Sequence, residues 1–308
     1  MVTEVYFSCD WGDDREFAND LKNQTPDCRG KWGSIRATLE PSEADFHVAF
    51  SQPQDVVSND KLILFCPEPP ANNRCNWKGT PALKKHPLTD FYKPQRWWVD
   101  QTYDDLKSMD PPDKNKNLSW ITTDKGKCNF LYRSFRKFLM RRGFRKHQYK
   151  NLPFLNHPYD GHILRMEFLT KLSGVNIDDF HLYGKGDFNL ASYKGEIEDK
   201  WNGLYDYRYS LAIENYKGPN YFSEKITDAL LAWCMPIYWG CTNLDEYLPE
   251  NSFVEIDIEG PNAPQRVKEI VESDLYEENL DAIAEARQLL LDKYQIWPTT
   301  ERVVANHT

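Results

Sequence analysis

The stretch Tyr209–Ile237, YSLAIENYKGPNYFSEKITDALLAWCMPI, gathers the polar groups Glu214, Asn215, Tyr221, Glu224 and Lys225 on one loop and at the mouth of the helix that follows it. Its opening apolar run, Tyr209–Ile213, reads as a buried strand, followed by a loop carrying the turn formers Gly218, Pro219 and Asn220. Ser223 stands where an N-cap belongs, with Glu224 in the first turn. Ile226, Ala229, Leu230 and Trp233 then recur at helical spacing and predict one buried face. Pro236 is expected to end that helix, and Ile237–Trp239 to begin the next strand. Open α/β sheets bind ligands in the crevice beyond the carboxyl ends of their strands. There, a helix N-terminus beside a lysine favours phosphate, through backbone N–H groups and the helix dipole. The plainer reading makes Glu224 a capping residue and Lys225 its solvated neighbour.

Two further stretches carry candidate chemistry. In Leu62–Pro70, LILFCPEPP, a strand delivers Glu68 at its carboxyl end between prolines that stiffen the backbone. Such a carboxylate suits a general base; on composition alone it is equally an exposed loop acid. In GHILRMEFLTKL, residues Ile163, Leu164, Phe168, Leu169 and Leu172 mark a helix with Arg165 near its start, on the residues alone a solvated helix arginine. Gly184-Lys185-Gly186 follows a strand but is too short to be a dinucleotide fingerprint and reads as a turn. The run His157–His162, HPYDGH, has turn chemistry and not metal-ligand spacing.

Glu214-Asn215, five residues, Tyr221, two residues, Glu224-Lys225 and later Pro236-Ile237 form one pattern. It resembles the signature of glycosyltransferase family 10, the α-1,3/1,4-fucosyltransferases, where it runs F-x-L-x-F-E-N-S, then Y-[VI]-T-E-K, then a V-P-V or I-P-I strand. The departures are Ile213 for Phe, Tyr216 for Ser, and Phe222-Ser223 for Val/Ile-Thr, and they bear on the identity of the sugar. The resemblance implies a GT-B-like fold, two Rossmann-like α/β domains facing each other across a cleft. It implies transfer of fucose from GDP-fucose to a hydroxyl of a glycan acceptor, with inversion and with neither metal nor other cofactor. It assigns Glu68 as the base and Arg165, Asn215, Tyr221, Glu224 and Lys225 to the donor, with Glu214, Ser223 and Lys185 as secondary donor-side candidates. Physically, negative charge grows on the phosphate as the glycosidic bond breaks, and Arg165, Lys225 and the helix N-terminus would stabilise it. A transferase of the same fold using another nucleotide sugar is the nearest alternative.

With 308 residues the chain has room for two domains, each with a core. A formal net charge of −9 argues against wholesale nucleic-acid binding. The apolar runs all fall short of the ~18 residues of a membrane span, and MVTEVYFSCDWGDD leads straight into a strand with no leader pattern. Seven cysteines without C-x-x-C pairing argue against a disulfide framework or a zinc site. Cys66 and Cys234 are therefore expected as core thiols in a reducing, cytoplasmic setting of a bacterial or viral host cell. The expected partners are a nucleotide sugar and a glycan, without nucleic acid and with at most weak surface association.

Strand signals at 4–8, 44–50 and 62–66 alternate with a helix at 13–23, while 67–94 reads as loop. The Pro- and charge-rich Met109–Asn117 marks a boundary between an acceptor-side domain, 1–112, and a donor-binding domain, 113–308. In the second, strands are expected at 118–122, 180–183 and 253–258 and helices at 130–140, 163–172 and 279–294, the last helix packing back on the first domain. The segment 125–150 interleaves Arg133, Arg136, Lys137, Arg141 and Arg142 with Phe130, Phe135 and Phe138. It carries the rival function, contact with nucleic acid or an anionic surface, or else is an amphipathic helix with a solvated basic face.

Overall fold

Apolar runs bounded by turn residues assemble into two separate sheets in a computed structural model, which describes residues 2–52, 58, 60–69, 75, 77, 80–124 and 160–307. The basic segment 125–150 and the helix expected at 130–140 lie outside the described residues.

The first sheet has the order β2-β3-β1-β4-β5-β6. Its strands are β1 (Thr3–Cys9), β2 (Lys31–Trp32), β3 (Ile35–Ala37), β4 (Phe46–Phe50), β5 (Leu62–Phe65) and β6 (Lys84–His86). All pairings are parallel except β2 with β3. β4 and β5 are buried throughout, as parallel strands covered on both faces must be. Helix α1 (Asp14–Lys22) follows β1, capped by Asp13, which accepts from the N–H groups of Arg15 and Glu16. β6 lies inside the stretch expected to be loop; three residues reading Lys-Lys-His carry no apolar alternation to betray an edge strand.

The second sheet has the order β11-β10-β9-β7-β8, and its pairings are all parallel. Its strands are β7 (Lys116–Ile121), β8 (Phe180–Tyr183), β9 (Tyr207–Gly218), β10 (Met235–Cys241) and β11 (Val254–Glu255). Two expectations need correction here. β9 runs on through Glu214 and Asn215, which are strand residues and not loop, because β10 stays paired alongside as far as Gly218. Helix α4 (Glu224–Leu231) ends well before Pro236, and the chain reverses at Trp233 with φ 61°. Pro236 lies inside β10 opposite Ser210, while β11 begins only opposite Ile237, so nothing on that side needs the N–H it lacks.

Helices α2 (Tyr103–Ser108), α3 (Asp160–Leu172), α5 (Ala263–Val271) and α6 (Leu280–Leu289) share a core with the second sheet, and α7 (Ile296–Ala305) returns to the first. Ile296, Trp297, Val303 and Val304 of α7 share one core with Val5, Phe7, Phe17 and Leu21. Trp297 meets Phe7 edge-on at 5.0 Å and donates its indole N–H to the Leu21 carbonyl. The sequence suggested one helix over 279–294; α6 instead loosens into a π-turn at Leu290–Tyr294 before α7 starts, with Pro298 tolerated in its first turn.

Cys66 is not a free thiol: it is disulfide-bonded to Cys75, with Cα atoms 5.6 Å apart. The bridge brings Cys75 to the end of β5, a pairing that residue spacing does not disclose. Cys234 is a buried thiol, and burial raises its pKa. Among the described residues, no helix is long and apolar enough to cross a membrane.

His86, 9% exposed, stacks on Phe65 at 4.9 Å and against Phe91 at 4.4 Å. Burial, with Lys84 adding to it, pulls the imidazole from 6.5 to about 4. The unfolded chain therefore binds this proton more readily, so His86 contributes stability that is complete above 6.5 and is lost as pH falls toward 4. Denaturant titrations at neutral pH and about pH 5 are expected to show a smaller pH-dependent loss for His86→Phe than for the wild type. Equal losses would contradict this assignment.

Candidate active site

Three elements converge where the carboxyl ends of β5 and β9 face each other. They enclose a cavity of about 390 Å³, within the usual range for small-molecule sites. Its lining includes Glu68 from the end of β5, Asn215 from β9, Tyr221 from the following loop, and Glu224 and Lys225 from the first turn of α4. Five of the sequence candidates thus meet at one place, four from the second half of the chain and Glu68 from the first.

The first turn of α4 is built on a buried carboxylate. Glu214, fully buried, accepts from both the N–H and the hydroxyl of Ser223 at 2.8 Å and pairs with the Lys225 ammonium at 3.2 Å. Ser223, the N-cap of α4, also accepts from Lys225 Nζ at 3.0 Å, and Glu224 lies 3.1 Å from the same ammonium. Burial alone would lower the Lys225 pKa, but Glu214 and Glu224 raise it above the usual lysine value. Burial pushes the Glu224 carboxyl up, yet Lys225, Lys200 and Lys93 outweigh it and hold the group well below the ordinary range. Both groups are charged at neutral pH. Glu214 and Ser223 therefore shape the helix start behind the cavity and are absent from its lining.

Arg165 is buried on α3, 3% exposed, and not the solvated helix residue of the plainer reading. Burial lowers its pKa to about 10 against the opposing pull of Glu214. It bonds to His162 one turn earlier on α3, while its Nε has no partner among the described residues. It too stands behind the cavity wall. Its position depends on Gly161, where a Cβ would fall 2.1 Å from the Asn215 carbonyl oxygen. Lys185 is exposed in the turn after β8 and does not line the cavity.

A third contributor, residues 93–98, was invisible as a site element in a stretch lacking periodicity. Gln95 and Trp97 point inward, 0% and 4% exposed, while Lys93, Pro94, Arg96 and Trp98 line the cavity. Gln95 donates to the Phe222 carbonyl and accepts from Thr227. Asp228, buried on α4, accepts from the Trp98 N–H and from Lys200, both at 2.8 Å. α4 thus fixes this strap through consecutive side chains. Two cations that sequence reading missed arrive on it. Lys93 lies 3.8 Å from Glu224, and Arg96 is 2.8 Å from Asp20. Among the described residues, no cluster of three or more His, Cys, Asp or Glu is placed to hold a metal ion.

Two mainly parallel sheets with their carboxyl edges facing one cavity define a GT-B-like glycosyltransferase fold. A crystal structure of a glycosyltransferase from Rickettsia africae ESF-5 superposes over 99% of this chain and 98% of its own, with a TM-score of 0.51 at 10% identity. Residues 153–269 match the family model described as glycosyltransferase family 10 (fucosyltransferase), C-terminal. The α-(1,3)-fucosyltransferase FucT of Helicobacter pylori is 35% identical over 60 residues, a match spanning 20% of this chain and 13% of that protein. A crystal structure of an α1,3-fucosyltransferase aligns over 96% of this chain and 92% of its own at 16% identity, with a TM-score of 0.49.

Gly161→Ala is expected to push α3 off β9, lowering stability by roughly 1–3 kcal/mol. Chemical denaturation checks this, and a wild-type value would remove the close approach as a constraint.

Proposed function

We propose that this protein is an inverting glycosyltransferase that moves fucose from GDP-fucose to a hydroxyl of a glycan acceptor. The observation that carries the reading is the meeting of Glu68 with Asn215, Tyr221, Glu224 and Lys225 around a single cavity. In this reading the diphosphate rests at the start of α4. Lys225 holds its charge, Tyr221 and Asn215 donate hydrogen bonds, and Arg165 adds positive potential from behind. Glu224 turns toward the ribose or sugar hydroxyls. Glu68 takes the proton of the acceptor hydroxyl as its oxygen attacks the anomeric carbon, and the bond to the phosphate oxygen breaks on the opposite side. The nucleoside diphosphate leaves with that bond's electron pair. A single displacement of this kind inverts the anomeric centre.

Lys225 has a structural as well as an electrostatic part, since its ammonium bridges Glu214 and Glu224. Lys93 and Arg96 add positive charge on the strap. Together the side chains offer the charge stabilisation that a leaving diphosphate requires, without calling on a metal or other cofactor. Transfer is accordingly expected to continue in the presence of a chelator.

The reading is tested with a donor panel. GDP is expected to raise the melting temperature and GDP-fucose to support transfer; stabilisation by UDP alone would overturn the guanosine donor. Glu68→Gln is expected to lower kcat at least about 100-fold while GDP still binds. Lys225→Ala is expected to add at least about 2.7 kcal/mol to the barrier, on the order of 100-fold in rate. Near-wild-type turnover of either variant would remove the role given to it.

A further inference from the structure

The described surface exposes few large hydrophobic side chains: Val2, Trp11 at 42% and Trp98 at 57%. Both tryptophans line the cavity that holds Glu68. An exposed indole is a large apolar area left in water, and two at one cavity point to a ligand with an apolar face. Neither belongs to the donor grip described above.

Trp98 is held firmly although it is exposed. Its N–H is bonded to buried Asp228, and the neighbouring Trp97 is anchored by its indole N–H on the Gln101 carbonyl at 3.0 Å. Trp11 and Trp98 also belong to one contiguous ladder. Trp11 meets Phe17 edge-on at 5.7 Å, and the Arg96 guanidinium lies 5.3 Å from Phe17 and 5.2 Å from Trp98. The Lys200 ammonium is 5.5 Å from the Trp98 ring. The wall is thus braced by rings and cations before any ligand arrives, which lowers the ordering cost of binding.

Trp98 and Arg96 also line a second cavity of about 460 Å³, together with Asp20, Asn23, Gln24, Asp100, Glu198 and Asp199. Trp98 is therefore the partition between the cavity at Glu68 and a neighbour rimmed with carboxylates and amides. A pyranose ring matches this partition, since its axial C–H bonds present a positive apolar face to the negative face of an indole. Its hydroxyl groups would donate to the carboxylates around the second cavity.

We propose that Trp98 and Trp11 form the platform for the acceptor, a neutral glycan of at least two sugar units. The unit bearing the attacking hydroxyl faces Glu68, and the adjoining unit lies over Trp98 into the second cavity. The four carboxylates there disfavour an anionic unit at that place. This rests on the transferase reading but is tested by binding, which needs no turnover.

The experiment titrates GDP-loaded protein calorimetrically with neutral mono-, di- and trisaccharide methyl glycosides and with uronic-acid analogues of the di- and trisaccharides. The wild type is expected to bind a neutral disaccharide more tightly than the monosaccharide and than the uronic-acid analogue. Trp98→Ala is expected to weaken disaccharide binding at least about tenfold, with Trp98→Phe recovering most of it and the GDP Kd unchanged. Trp11→Ala is expected to weaken all the neutral glycosides. Glu198→Gln is expected to narrow the gap between neutral and uronic-acid ligands. Equal disaccharide affinity in wild type and Trp98→Ala, or no glycoside binding by the wild type, would overturn the platform. A GDP Kd raised tenfold by Trp98→Ala would also overturn it, placing the purine on this ring. Glycoside binding of the expected pattern without transfer from GDP-fucose would sink the catalytic reading and leave the platform standing.

Discussion

The fully buried carboxylate of Glu214 is the interaction on which the site depends. It projects from β9, accepts hydrogen bonds from the N–H and hydroxyl of the N-cap of α4 and pairs with Lys225. A buried carboxylate is tolerable only when it is paired and hydrogen-bonded, and here the compensation comes from the Ser223 cap and from Lys225, which faces the cleft. Without it, Lys225 and Arg165 would stand as buried cations with less to balance them. The far end of α4 is settled by Arg287, 4% exposed, which donates to the carbonyls of Leu230 and Leu231 and reaches across to that of Leu106. Both ends of a short helix are thus neutralised, and its N-terminus is held at the cavity.

The same helix ties the two halves together. Thr227 and Asp228 hold the strap through Gln95 and Trp98, and the strap passes its backbone on to the segment before α7. Gln95 N–H donates to the Tyr294 carbonyl, and Ile296 N–H donates to the Gln95 carbonyl. α7 then buries Trp297 in the first domain's core. One connected set of polar contacts therefore runs from α4 to the half of the chain that carries Glu68. Loss of one partner leaves another buried group unpaired, so the relative placement of the two walls is specified and not merely allowed.

Legibility in the sequence followed the range of the interactions. The strands β1, β4, β5, β8 and the capped start of α4 were readable because apolar runs and a Ser N-cap are local signals. The course of β9 through Glu214 and Asn215 was not, because it is set by pairing with β10 and not by propensity. Pro236 misled for the same reason: its effect depends on whether a neighbour needs its N–H. The Cys66–Cys75 bridge, the strap and the inward turn of Arg165 arise from contacts that spacing alone cannot express. Glu68, Asn215, Tyr221, Glu224 and Lys225 were found as a set through motif resemblance. Lys93, Arg96 and the two exposed tryptophans were missed, since each gains its meaning from a cavity formed by distant segments.

In the proposed function the start of α4 grips a leaving diphosphate across the cleft from Glu68. A crystal structure of the protein with GDP and a non-transferable fucosyl analogue is the decisive measurement. Phosphate oxygens are expected within about 3.5 Å of Lys225 Nζ, with the Glu68 carboxylate on the opposite side of the anomeric carbon. A nucleotide bound outside this cavity, or a Glu68 turned away from the sugar, would contradict it.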